Sequence, residues 1–162
     1  MALMFLLILT ILGITAMGTS SLEEKMAGNS KDRNVAFQAA ESALIAGENK
    51  IGNAIIITAV VADTSITNDG LWKPSTTTTP VWENASTWSG SDNVPIAGLT
   101  TVAASPRYII EDLGQIADKG GSLSLPQNYK TTGKNLFRVT ARGVGGTVNA
   151  VSMVQSTYEK RF

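Results

Sequence analysis

From Met1 to Leu22 the chain carries no charged side chain, and Glu23 is the first. Residues 2–14 read ALMFLLILTILGI, a run of Leu, Ile, Met and Phe interrupted only by Thr10 and Gly13. The weakly polar residues 15–21 extend the uncharged span to the ~20 residues a helix needs to cross a bilayer. A charge at the bilayer centre costs roughly 2.5–3.5 kcal/mol on insertion scales, so this uninterrupted neutrality favours a transmembrane helix. A secretory signal would place a basic stretch before its apolar run, whereas here the apolar run opens the sequence. A buried helix of a soluble domain would have to sit at the very terminus. The membrane span is the better reading.

Residues 23–56 are expected to continue the same helix as an amphipathic half. They hold no proline, the first being Pro74, and they are rich in Ala, Glu, Lys and Leu, the strong helix formers. Phe37, Leu44 and Ile51 recur every seven residues with Ala40 and Gly47 between them, which draws one apolar stripe along a helical face. Phe37, Ala40, Leu44 and Ile51 are therefore expected to join the helix to a sheet, each large side chain contributing ~1.5–3 kcal/mol if fully buried. Arg33, Glu41 and Glu48 lie elsewhere around the helix and are expected to stay in water. Gly28, Asn29 and Ser30 form a polar break where the helix is expected to kink or fray. A helix over residues 2–56 is roughly 80 Å long at ~1.5 Å per residue. No small domain buries such a rod, so its first half must lie in lipid or against other subunits.

Residues 57–162 are expected to form a globular domain. Residues 54–62 (AIIITAVVA) are too apolar for a loop and too short for a span; they suit either the last helical turns or a buried strand. Residues 63–105 are rich in Ser and Thr, carry few charges and hold all three tryptophans, Trp72, Trp82 and Trp88. They read as a long loop region with one short hairpin. Residues 106–158 read as sheet. Residues 107–113 suit a strand, and residues 136–142 alternate Phe137, Val139 and Ala141 against Arg138, Thr140 and Arg142, the period of a half-exposed strand. Residues 143–146 (GVGG) supply a turn, and residues 148–158 a further strand with Val151 and Met153 on one face. A long helix laid on an antiparallel sheet is an α+β fold.

Composition narrows the chemistry. The chain has no cysteine and no histidine, and thirteen basic residues balance thirteen acidic ones. Disulfides, thiolate and imidazole metal sites and histidine-dependent catalysis are excluded. No overall field draws the protein onto nucleic acid. No cofactor or metal is expected, and no enzyme. Residues 143–146 join two strands instead of opening a helix, which separates them from a phosphate loop. Asp63, Asn68 and Asp69 miss the spacing of a calcium loop. The three tryptophans suit packing of the loop on the sheet, with a sugar-stacking platform as the other reading.

The local words are more specific. Residues 19–44 (TSSLEEKMAGNSKDRNVAFQAAESAL) resemble the N-terminal motif of PilX-type minor pilins, and residues 106–112, 138–143 and 150–158 are similar to that family's C-terminal region. The resemblance implies a type IV pilin-like fold and a subunit held in the bacterial inner membrane by one span, its C-terminal domain periplasmic. It implies a complex with other minor pilins that primes the type IV pilus and ends at the filament tip. Partners would be those minor pilins, a tip adhesin, the major pilin and the inner-membrane assembly platform, in filaments that serve adhesion and twitching motility. It further implies a short basic leader, cleaved with methylation of the new N-terminus; the sequence is expected either to stand close to the mature form or to lack a few residues at its start. Most major pilins carry an early glutamate, but no acid occurs before Glu23 and position 5 is Phe5. The helix face for assembly is assigned to Phe5, Leu9, Leu12, Gly13 and Ala16, where small residues let helices approach closely. A type II secretion pseudopilin would share the same architecture. A membrane-anchored glycan-binding adhesin is the alternative from another class.

Overall fold

A computed structural model describes residues 1–53, 70–72, 79–89, 94–116 and 134–161. The elements in chain order are α1 (Ala2–Asn53), β1 (Leu71–Trp72), a 3-10 turn (Val81–Glu83), α2 (Ala85–Ser89), β2 (Val94–Pro95), β3 (Arg107–Ile116), β4 (Lys134–Val144) and β5 (Val151–Lys160). Helix α1 has 52 residues, about 78 Å at ~1.5 Å per residue. It runs unbroken through Gly28, Asn29 and Ser30, so the expected break is absent. Residues 54–56, where the helix was expected to end, and the apolar run 54–62 lie outside the described residues.

In the apolar half of α1 the threonines bond locally. The hydroxyls of Thr10, Thr15 and Thr19 donate to the carbonyls of Leu7, Ile11 and Thr15 at 2.8, 2.8 and 2.7 Å. Local bonding of this kind lets a threonine hydroxyl lie in lipid without water.

The sheet runs β1-β3-β4-β5, with β2 also paired to β3. Strands β3, β4 and β5 form an antiparallel meander in which Ile110 faces Val139 and Val139 faces Ser156. On the other edge of β3, β1 pairs in parallel with Ile110 and Glu111 while β2 pairs antiparallel with Arg107 and Tyr108. The alternation read in β4 is the observed one: Phe137, Val139 and Ala141 are buried, and Arg138 and Arg142 are half-buried. Thr140 differs, being buried under the segment that covers the second face. Strand β3 extends to Ile116, past a bulge between Asp112 and Gly114. Gly114 there has φ +90°, a conformation suited to glycine, and its amide donates to Asp112 Oδ1 at 2.9 Å.

Two clusters cover the two faces. On one, Ala43 and Ile51 of α1 pack with Tyr108, Ile110, Phe137, Val139 and Ala141, joined by Leu44 and Tyr158. On the other, Val81 and Trp88 pack on Ile109, flanked by Trp72 and Trp82. Residues 63–105 were expected to be mostly loop. Their described part holds the 3-10 turn and α2, which bring Val81 and Trp88 onto the sheet face opposite the helix, and two short strands that extend the sheet at the edge of β3. The turn also differs: β4 continues to Val144, so Gly143 belongs to the strand, and β5 begins at Val151, which leaves Val148 exposed in the loop.

The seam of α1 on the sheet is Ala36, Ala39, Ala40, Ala43, Gly47 and Ile51. Ala40 and Ile51 are buried and Leu44 is half-buried. Phe37 requires a correction, since it is 47% exposed. At 100° per residue it stands about a quarter-turn away from the line of alanines. The heptad spacing drifts around a straight helix by ~20° per repeat, and small side chains define the contact. The sheet comes closest where the helix has least to offer in bulk.

Candidate functional site

The first half of α1 is the largest unpartnered apolar surface among the described residues. Phe5, Leu9 and Leu12 are all more than half exposed, and Ala16 is exposed with them. Their spacing of four, three and four residues sets them on one stripe, with Gly13 beside it. A Cβ added at Gly13 or Gly18 would meet nothing within 4 Å. The structure thus leaves the five residues expected to serve assembly in open space on one helix, brought together with each other and with no described part of the globular domain. This helix alone among the described residues is long and apolar enough to cross a membrane.

The second half is locked onto the sheet by three polar contacts that hydropathy does not reveal. Near its start, Asp32 accepts from the backbone amides of Gly146 and Thr147, and from the Thr147 hydroxyl. The Thr147 hydroxyl bond first, against an opposing effect of desolvation and with the help of the two amides, holds the Asp32 carboxyl below the usual range. About four turns further on, the Ser156 hydroxyl donates to Glu48 Oε1 at 2.5 Å. Glu48 was expected to stay in water; a serine facing the helix from β5 recruits it instead. At the far end Lys160 Nζ donates to the carbonyls of Ile51 and Gly52 at 2.8 and 2.7 Å. A cation on carbonyls at the C-terminal end of the described helix complements the helix dipole.

Glycines make this lock close. A Cβ on Gly143 would collide with Ala36 O and Ala40 N, both backbone atoms of α1. A Cβ on Gly47 would stand 2.6 Å from Val139 Cγ1. Gly145 packs as tightly against Asp32. Asp32, Gly143 and Lys160 were not among the residues singled out by sequence. The signal that could have found Gly143 is its place in the alternation: it continues the inward series Phe137, Val139, Ala141 with the smallest residue.

The opposite face has its own character. Trp88 is 6% exposed, and its indole N–H donates to Trp82 O at 2.8 Å. The tryptophans therefore pack and hydrogen-bond among themselves and the sheet. Beside them Glu111 is buried on β3, 3.5 Å from Arg138 across the ladder, with Oε2 lacking a hydrogen-bond partner among the described residues. Burial pushes its carboxyl above the usual range against the attraction of Arg138. Asp63, Asn68 and Asp69, whose spacing does not fit a calcium loop, lie outside the described residues.

A rod with an exposed apolar half, whose other half lies across an antiparallel meander, is the α+β arrangement of a pilin. Two family models match the chain: the N-terminal PilX domain over residues 1–44 and the C-terminal domain of the type IV pilus assembly protein PilX over residues 64–160. The chain belongs to the PilX family of type IV pilus assembly proteins. No curated protein and no solved structure matches it. Membership makes it a type IV pilus minor pilin that associates with other pilus components, and the apolar N-terminal helix fits a membrane-anchored pilin.

Proposed function

We propose that this chain is a non-enzymatic assembly subunit that joins other minor pilins in a complex priming the type IV pilus, at or near the filament tip. The observation that carries this reading is the division of α1. Its first half exposes a continuous apolar surface that needs a nonaqueous environment. Its second half is fixed to a folded domain by close packing and the Asp32, Glu48 and Lys160 contacts. Before assembly the apolar half resides in the inner membrane as a single span, with the globular domain in the periplasm. During assembly it leaves lipid for a bundle of like helices, an exchange between two apolar surroundings. Phe5, Leu9, Leu12, Gly13 and Ala16 form the contact stripe in that bundle, the small residues admitting close approach. A tip adhesin, the major pilin and the inner-membrane assembly platform are the remaining partners. The PilX match favours a pilus over a secretion system.

The test is deletion of the chain's gene with quantification of surface pili and of total major pilin. Few or no pili at unchanged major-pilin level is the expected result. Normal piliation would refute a priming role.

A further inference from the structure

The outer face of the sheet, remote from the helix, carries an electrostatic oddity. Arg107 of β3 and Arg142 of β4 are direct cross-strand partners. Like charges placed opposite one another destabilise a ladder. Arg107 is committed to protein, its Nη1 donating to Trp88 O at 2.9 Å. Arg142 makes no hydrogen bond or ion pair with any described residue. Arg107 and Arg142 both line a hollow of about 180 Å³ with Trp88 and Ser105. Two arginines on one recess, one of them without a partner among the described residues, match a planar oxyanion.

The recess is not isolated. Trp88 and Arg142 also line a second hollow of about 250 Å³, together with Trp82, Glu83 and Met153. Trp82 and Met153 line a third of about 150 Å³ with Thr140 and Gln155. The three share walls in sequence and form one groove across the outer face. It combines a half-buried indole, an apolar thioether on Met153 (44% exposed) and side-chain hydroxyl and amide groups. Glu83 stands on the rim without an ion pair to Arg142. Apolar walls with a few converging polar groups are the usual make-up of a small-ligand site.

We propose that this groove binds an acidic saccharide, with a sugar-ring carboxylate at Arg107 and Arg142 and a neighbouring sugar face on Trp82. The carboxylate answers the charge of Arg142, and the ring answers the indole. A peptide is the less fitting occupant. The groove's floor is β4 and the outer face of β5; the backbone groups of β4 are already shared between β3 and β5, so an added strand finds main-chain partners only at the far edge of β5, away from the recess of Arg107 and Arg142. In that recess only side chains are available to read a ligand, and sugar hydroxyls and ring faces are read by side chains. The inference goes beyond pilus assembly and does not depend on it.

The test uses the full chain in polyoxyethylene detergent micelles, which present no sugar. Trigalacturonate is titrated by tryptophan fluorescence and calorimetry, with maltotriose and triglutamate as the neutral and peptide controls. Saturable binding of trigalacturonate, at least tenfold tighter than either control, is expected. Arg142→Gln should weaken it tenfold or more while thermal stability holds or rises, because the like-charge pair is relieved. Met153→Glu, which sets a carboxylate against the ligand from an exposed position, should weaken it similarly and serves if the first variant fails to fold. No saturable binding by trigalacturonate would overturn the proposal. So would undiminished binding by a folded Arg142→Gln or Met153→Glu protein. Equal binding of triglutamate would also overturn it, in favour of a docking site for an acidic protein segment.

Discussion

The two halves of α1 invert the ordinary relation between hydrophobicity and burial. Residues 2–22 hold the large apolar side chains, and every one of them is exposed; residues 36–51 meet the sheet chiefly through alanine and glycine, and these are buried. Large side chains build a surface that needs other molecules around it. Small ones permit a backbone to settle against a backbone, so contacts per side chain are modest but packing is dense and specific. The first half is made for an environment the chain itself does not contain. The second half is made for one partner, its own sheet.

That contrast can be broken by single changes. The largest effect is expected from Gly143→Ala, whose methyl would meet α1 backbone that cannot move aside without lifting the helix from β4. A loss of about 3 kcal/mol is expected, read as a collapse of the tryptophan near-UV signal at lower temperature; an unchanged melt would show that the helix is not held this closely. In the other half, Leu9→Lys should leave that melt intact and cost roughly 2.5–3.5 kcal/mol of membrane insertion, measured as the fraction of chain resisting alkaline extraction. Equal extraction of parent and variant would mean that the exposed half does not reside in lipid. Gly47→Ala should cost about 1–2 kcal/mol, less than Gly143→Ala because its methyl meets the tip of Val139 instead of backbone.

The polar lock gives a pH-dependent prediction. Because the Asp32 carboxyl is held below its usual range in the folded chain, chiefly by the Thr147 hydroxyl, its stabilisation is present at neutral pH. It fades as pH falls through and below the ordinary carboxylate range. Asp32→Asn should therefore melt lower than the parent at pH 7, and the gap should close towards pH 2. A gap that widens in acid would reverse the assignment. The smallest effect is expected from Phe37→Ala, about 0.5 kcal/mol, since Phe37 lies off the alanine seam. A loss comparable to that of Gly47→Ala would restore Phe37 to the interface.

Much of this architecture was legible in the residues. The charge-free opening, the proline-free continuation and the strict alternation of residues 136–142 are one-dimensional patterns with a single geometric meaning each. The heptad of Phe37, Leu44 and Ile51 misled because periodicity identifies a face to within about a quarter-turn and weights residues by size. The true seam was chosen by how closely two backbones could approach. Gly143 read as a turn residue because glycine clusters usually mark turns, whereas here one glycine of the cluster belongs to the strand and admits the helix.

The covalent order alone determined that the N-terminal half must be sheltered from water, since a run of large apolar side chains without charge has no stable aqueous solution whatever it is attached to. It also determined that Phe137, Val139 and Ala141 of β4 would share one buried face, while its second face, read as exposed, came to be covered as well. Tertiary structure decided which residues of the rod touch the sheet. It paired Asp32 with a turn more than a hundred positions away and set Arg142 beside Arg107 under the tryptophans. Those outcomes depend on distances between segments that become neighbours only when the chain closes, and no local pattern encodes such distances.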